Sequence, residues 1–109
     1  MKLNPEYFEM IKTGKKKIEI RLLDEKRRKV RIGDTIEFSK RPELKDNITV
    51  SVKGIKKYAN YEQLVENTPH THFGGNYKDK SDILKKGCPS YSKEQQEEYR
   101  FIVFEIELL

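Results

Sequence analysis

Cysteine, histidine and tryptophan are scarce in this sequence, and long apolar runs are missing. One cysteine, two histidines and no tryptophan occur among its 109 residues. A single thiol cannot form an internal disulfide bond or a multi-thiolate metal site. No segment approaches the roughly 20 apolar residues of a membrane-spanning helix, and the start of the chain has no apolar signal segment. We therefore expect a cytoplasmic protein without disulfides, membrane partners or cofactors.

Charged residues are abundant, at 38% of the chain, and the basic ones are concentrated in its first half. Residues 1–57 contain 17 Lys and Arg against 9 Asp and Glu, whereas residues 58–109 contain 6 against 9. Five of the six residues from Lys26 to Arg31 are basic. Such a patch creates a positive potential that attracts nucleic acid. A solvated basic surface without a partner has the same composition, so charge alone leaves both interpretations open.

Short periodic segments predict one small domain, residues 1–109, that is α+β but mainly β. Regular alternation of strands and helices is absent, which argues against a parallel doubly wound sheet. The pattern favours a small mixed or antiparallel β-barrel with short peripheral helices. Gly54 interrupts one strand and predicts a bulge, and residues 67–80 form a long polar loop. The predicted strands are 17–23, 35–39, 48–53 and 101–108, and the predicted helices are 5–13, 60–67, 81–87 and 92–98.

The strand at 17–23 carries charged side chains on one face and isoleucines on the other. Glu19 and Arg21 project to the same side about 7 Å apart, because each residue advances a strand by roughly 3.3 Å. Lys16 precedes them in a lysine-rich turn. Arginine binds phosphate through two parallel hydrogen bonds, whereas lysine supplies a point charge. An exposed strand stabilised by a Glu–Arg pair has the same pattern, so a purely structural role stays open.

The segment Gly14-x-Lys16-x-x-Glu19-x-Arg21 resembles the GxKxxExR signature of the ASCH domain family. The preceding helix, the Gly33-Asp34 turn and the segment before the final strand extend this resemblance over nearly the whole chain. The resemblance implies a PUA-like barrel whose cleft, lined by the signature residues, binds RNA or a nucleotide-like ligand. We therefore expect RNA or a nucleoside as the partner of a monomer. The expected ligand-binding residues are Lys15, Lys16, Glu19, Arg21, Arg27, Arg28 and Tyr77.

One bacterial branch of the family implies an alternative, a small hydrolase acting on 4-acetylcytidine. In that branch a threonine of the signature strand is the nucleophile and a lysine is the base. Lys16 matches the lysine, but Glu19 occupies the threonine position. A water-based mechanism, on an acylated nucleoside or on RNA, would instead use Glu19 as general base, with Lys16 and Arg21 stabilising the developing charge.

The loop at 67–80 contains further candidate residues. Phe73 or Tyr77 can stack on a base if the loop overhangs the cleft, but the pattern favours Phe73 as a plug for the end of the barrel. Tyr58 and Tyr61 carry the same ambiguity. His70 and His72 lack a third ligand at a suitable spacing, so we predict no metal site. Cys88 has no base beside it in the sequence and is expected to be a bystander.

A third possible function is protein–protein interaction, in which the acidic second half of the chain binds a basic partner. The three hypotheses predict different consequences of mutation. Loss of Arg21 or of the basic segment weakens RNA binding if the protein is a binding module. Loss of the Glu19 charge abolishes turnover if the protein is a hydrolase.

Overall fold

A computed structural model describes residues 1–109 as a curled five-stranded half-barrel with short helices around it. This architecture confirms the predicted α+β, mainly β fold. The strands are β1 (Lys2–Leu3), β2 (Ile18–Leu22), β3 (Thr35–Lys40), β4 (Asn47–Tyr58) and β5 (Phe101–Leu108). The helices are α1 (Pro5–Lys12), α2 (Glu25–Arg28), α3 (Tyr61–Glu66), α4 (Lys80–Lys86) and α5 (Lys93–Tyr99), with one 3-10 turn at His70–His72.

The strand order β1-β3-β4-β5-β2 leaves two edges, and the half-barrel is open between them. β3, β4, β5 and β2 pair in antiparallel fashion, whereas β1 is parallel to β3. β1 has only two residues, too few to show a period, so the sequence pattern did not reveal it. β1 nevertheless forms one edge of the sheet and faces the other edge strand, β2, across the opening.

Two hydrophobic clusters pack on opposite faces of this sheet. One includes Phe8 of α1 together with Phe104, and the other includes Leu64 of α3 and Ile83 of α4. Alternation in β5 predicts that Val103 lies on its polar face, but Val103 is buried. The first half of β5 is buried on both faces because α1 covers one side and α3 and α4 cover the other.

The local signals for strand and helix ends are largely confirmed. A register shift between Val52 and Gly54 marks the predicted bulge, after which β4 continues to Tyr58 instead of ending. The side chain of Asn60 caps α3, and Ser92 forms a capping box with Gln95 at the start of α5. Asn4 stands at the N-cap of α1 but makes no side-chain capping hydrogen bond.

The basic segment contains a single helical turn. Asp24 caps α2, since its carboxylate accepts a hydrogen bond from the Arg27 backbone N–H at 2.9 Å. This agrees with the prediction of a loop or one turn at 26–31. None of the helices combines the length and apolar character needed to cross a bilayer.

Candidate functional site

A pocket of about 310 Å³ lies at the opening between β1 and β2. Residues 2–4 of the β1 edge form one side, and Glu19, Ile20 and Arg21 of β2 form the other. Residues from the 67–80 loop and from the segment after α4 complete the wall. The pocket therefore contains three of the predicted signature residues, Lys16, Glu19 and Arg21.

Glu19 is almost completely buried, although the sequence pattern placed it on an open strand face. It pairs across the sheet with Phe104, so its side chain points to the concave side of the half-barrel. One carboxylate oxygen accepts hydrogen bonds from Arg21 Nε at 3.2 Å and Nη2 at 2.9 Å. The other accepts from the Ile20 backbone N–H at 3.2 Å. Glu19 thus holds the Arg21 guanidinium in one orientation.

Arg21 also links the two edges of the sheet. Its Nη2 donates to the Lys2 backbone carbonyl at 3.1 Å, which connects β2 to β1 where no backbone ladder exists. Nε and Nη2 are therefore occupied, whereas Nη1 makes no hydrogen bond to the protein. A guanidinium held this way presents one N–H edge to a ligand in the pocket.

Lys16 is the second cation of the pocket and has no ion-pair partner within 4 Å. Its side chain is 9% exposed, and the ammonium lies 4.9 Å from the centroid of the Tyr7 ring. Burial lowers the pKa of Lys16, the Glu19 charge opposes this shift, and Arg21 adds to it. A buried ammonium without a counter-ion can be compensated by an anion, which makes Lys16 a candidate anion-binding residue.

Four tyrosines line the pocket; the sequence analysis assigned Tyr77 to ligand binding and left Tyr61 open between stacking and packing. Tyr77 was predicted as a stacking residue, and the fold brings three others to the same wall: Tyr7, Tyr61 and Tyr91. Burial raises the pKa of both Tyr61 and Tyr91, so their hydroxyls are neutral at physiological pH. These residues come from three helices or loops distant in sequence, so no local motif could reveal them.

The 67–80 loop is held against the signature turn. The Lys17 backbone N–H donates to the His72 carbonyl at 3.0 Å, and Lys16 forms an isolated β-bridge with Phe73. Gly74 has a φ of +82°, and a β-carbon there would lie only 2.7 Å from the Lys16 Cβ. Phe73 is buried in the core cluster that includes Leu64, but it also borders the pocket, so both of its predicted roles are compatible with the structure.

Cys88 lies in the pocket wall, although the sequence gave it no role. It belongs to the segment from Lys86 to Tyr91 that follows α4 and lines this side. Burial raises the pKa of the Cys88 thiol, and only a backbone hydrogen bond and the Lys16 charge oppose this. The thiol is therefore protonated at neutral pH and adds surface, not charge, to the pocket.

The other predicted ligand residues surround the pocket without lining it. Arg27 pairs with Asp24 at 2.9 Å, and Lys15 and Arg28 are exposed. Burial lowers the pKa of the Met1 amino group most, and the charges of Arg21, Lys26 and Arg27 lower it further. The α2 cations are thus near the β1 side of the opening. They extend the positive surface beyond the pocket and do not enter it.

The two histidines lie together in the 3-10 turn. Nowhere in the structure do three or more His, Cys, Asp or Glu side chains converge as ligands for a metal ion. His72 borders a second cavity, which Gly14 and Lys16 also line. Both lysines and the carboxylates of Glu105 and Glu107 face this cavity.

The whole sequence, residues 1–109, matches the family model of the ASCH domain. The chain belongs to the ASCH domain family. Its members are suggested to bind RNA. In this ASCH domain, residues 14–21 form the turn and strand on one side of the pocket.

Two solved structures share the fold over essentially their full length. The crystal structure of hypothetical protein PH0355 is 34% identical, covers all of both chains and has a TM-score of 0.78. The solution NMR structure of protein PF0455 from Pyrococcus furiosus is 31% identical, covers 100% of this chain and 98% of its own, and has a TM-score of 0.68. No curated protein matches the sequence. The function of this ASCH domain must therefore be argued from its pocket.

Proposed function

We propose that this ASCH domain binds RNA or a nucleotide-like ligand in the pocket between β1 and β2. The observation that carries the proposal is the combination of the Lys16 ammonium, which has no ion-pair partner, and the free Nη1 edge of Arg21 with a wall of tyrosines. Cations bind phosphate, and aromatic rings stack on bases, which are the two parts of every nucleotide.

The charge of the pocket favours an anionic ligand over a basic protein segment. Among the lining side chains, five are cationic and one is acidic. The acidic one, Glu19, is already hydrogen-bonded to Arg21. A protein–protein role based on the acidic second half of the chain has no comparable support, because that half contributes tyrosines and a lysine to this wall. The cationic side chains are Lys2, Lys16, Arg21, Arg41 and Lys86.

The hydrolase alternative is less well supported by the arrangement of Glu19. A general base must be free to take a proton from a water that faces the substrate. Both oxygens of Glu19 instead accept hydrogen bonds from Arg21 and the Ile20 backbone. Together with the missing threonine, this favours a binding module, in which Glu19 positions Arg21.

Titration of labelled single-stranded and hairpin RNA, followed by fluorescence anisotropy, tests the proposal. We expect Arg21→Ala to weaken binding at least tenfold and the triple variant Lys26/Arg27/Arg28→Ala to weaken it to a smaller extent. The matched control, Lys53/Lys56/Lys57→Ala, removes three exposed lysines of β4. It lowers the net charge by the same amount as the triple variant of α2. If the control weakens binding as much as both variants, attraction is unspecific and the pocket has no special role.

Product analysis belongs in the same experiment. The wild-type protein is incubated with 4-acetylcytidine and with RNA, and the products are separated by chromatography. Binding without product supports the proposed module. Product that disappears in Glu19→Gln, while affinity is retained, would contradict it in favour of the hydrolase.

A further inference from the structure

The positive charge of the pocket exceeds the negative charge that an internal RNA phosphate supplies. A phosphodiester carries one negative charge, whereas a terminal phosphomonoester carries about −1.5 to −2 at neutral pH, with a second pKa near 6. Five cationic side chains and one carboxylate line this pocket, so its net charge stays positive after Glu19 has paired with Arg21. If the pocket holds a nucleotide as proposed above, the matching group is the dianionic one.

We propose that the pocket recognises a terminal phosphomonoester, either at the end of an RNA strand or on a free mononucleotide. This inference rests on the proposed function and specifies its ligand. Lys16 and Arg21 bind the phosphate, and the tyrosines of the wall hold the attached base or sugar.

Lys16 provides the first argument. Its ammonium is nine-tenths buried but has no anion beside it, an arrangement that costs free energy in the absence of a compensating charge. The nearest carboxylate, Glu19, makes its hydrogen bonds to Arg21 and to the Ile20 backbone instead. A dianion placed between Lys16 and Arg21 would compensate the ammonium.

Arg21 provides the second argument. Glu19 and the Lys2 carbonyl fix the guanidinium plane, so the orientation of Nη1 is set before any ligand arrives. A preorganised donor loses little conformational entropy on binding. The pocket thus combines a flexible point charge, Lys16, with a fixed directional donor, which suits the several oxygens of a phosphomonoester.

The size of the pocket provides the third argument. A volume of about 310 Å³ is at the lower end of the range for ligand pockets and has room for about one nucleotide unit. A continuous strand needs a groove that follows its backbone, whereas the cations named here line one pocket of limited volume. One end of a strand therefore fits better than its middle.

Calorimetric titration with five probes tests the inference. The small probes are cytidine, cytidine 5′-monophosphate and cytidine 3′-monophosphate, and the RNA probes are one octamer with and without a terminal phosphate. We expect the phosphorylated probes to bind at least tenfold more tightly than the matched hydroxyl probes. Comparison of mononucleotide with octamer decides whether the source is a free nucleotide or an RNA end.

The preference should depend on the two cations and on the charge of the phosphate. Lys16→Met and Arg21→Lys should each reduce the preference to less than threefold, whereas Lys57→Met, an exposed lysine of β4, should leave it unchanged. Binding of the monoester should tighten between pH 5.5 and 7.5 as its second proton is lost, with no such change for the hydroxyl octamer. No histidine lines the pocket, and the hydroxyl octamer controls for titration of the protein's own groups, Lys16 included.

The outcomes separate this inference from the proposed function. Octamers that bind equally with and without a terminal phosphate, and lose affinity in Arg21→Ala, would overturn the inference and leave the proposed function standing. Failure of every probe to bind would overturn both. A phosphate preference that survives both Lys16→Met and Arg21→Lys would place the monoester outside this pocket and would also overturn the inference.

Discussion

Lys16 and Glu19 show how two charged side chains on neighbouring positions of one motif take different roles. Glu19 is neutralised within the protein, because Arg21 and a backbone N–H bind both of its oxygens. Lys16 is not neutralised, because the β-bridge to Phe73 fixes its backbone while its side chain extends toward the Tyr7 ring. The motif therefore supplies one buried ion pair and one buried free cation.

Replacing Lys16 by methionine should stabilise the protein while weakening ligand binding. Methionine keeps most of the packing of the lysine stem but removes a buried amine, and burying a polar group without a hydrogen-bonding partner costs about 1–3 kcal/mol even when it is neutral. We expect a higher midpoint in urea unfolding at neutral pH. A lower midpoint would show that the contact between the ammonium and the Tyr7 ring outweighs the cost of burial.

The same lysine should give the stability a characteristic pH dependence. Burial lowers its pKa below the ordinary 10.5. Between the lowered pKa and 10.5 the unfolded chain binds more protons than the folded one, so the free energy of unfolding rises with pH in this window. The raised pKa values of Cys88, Tyr61 and Tyr91 make the free energy of unfolding fall with pH and so oppose this effect. The quantity to measure is therefore the difference in the free energy of unfolding between wild type and Lys16→Met, as a function of pH. A difference that is independent of pH would contradict the lowered pKa.

A double-mutant cycle should show that Glu19 and Arg21 are energetically coupled. The pair is largely shielded from water, with side-chain exposures of 5% and 15%. We expect Glu19→Gln and Arg21→Gln to show a coupling of about 1–3 kcal/mol in chemical unfolding. The control is Lys53 with Glu107, an ion pair at 3.8 Å whose side chains are both more than half exposed, which should show almost none. Equal coupling in the two cycles would remove the argument that Glu19 positions Arg21.

At the scale of elements, the signature turn and the 67–80 loop form one unit. The loop has no long helix or strand of its own, and its position depends on backbone hydrogen bonds and bridges to residues 16 and 17. Because Tyr77 follows this contact and lines the pocket, movement of the loop changes both the aromatic wall and Lys16.

Gly74→Ala should therefore affect both stability and ligand binding. Its φ of +82° disfavours a β-carbon by about 1–2 kcal/mol, and that carbon would also collide with Lys16. Gly33→Ala is the matched control, since Gly33 has a φ of +95° but no atom within 4 Å of the added carbon. We expect both variants to lose stability in thermal unfolding and only Gly74→Ala to lose RNA affinity. Equal losses of affinity would show that the loop contact does not shape the pocket.

For the whole molecule, the fold brings several basic residues from the first half of the chain to the opening of the half-barrel. The basic first half of the chain supplies β1, β2 and α2, which surround the opening of the half-barrel. RNA binding should therefore weaken steeply as salt increases, because each phosphate contact releases counterions. The slope of log K against log salt should decrease by about 2–3 in Lys26/Arg27/Arg28→Ala but by only about 1 in Arg21→Ala. An unchanged slope in the triple variant would show that α2 makes no phosphate contacts.

The sequence by itself determined most of the helices and strands and the family. Periods of two residues predicted β5 and the strand from Ile18, and local capping residues predicted α3 and α5, because these signals act between neighbours in the chain. The GxKxxExR pattern likewise identified Lys16, Glu19 and Arg21 as one group. These features depend on short-range spacing, which is visible without a structure.

Only the tertiary structure decided which of these side chains meet and which stay free. The link from Arg21 to Lys2, the bridge from Lys16 to Phe73 and the wall of Tyr7, Tyr61 and Tyr91 all join segments far apart in sequence. The burial of Glu19 and Val103 also depends on helices packed over both faces of the sheet. Local patterns report which face of a strand a residue occupies, but not what covers that face, because the cover comes from elsewhere in the chain.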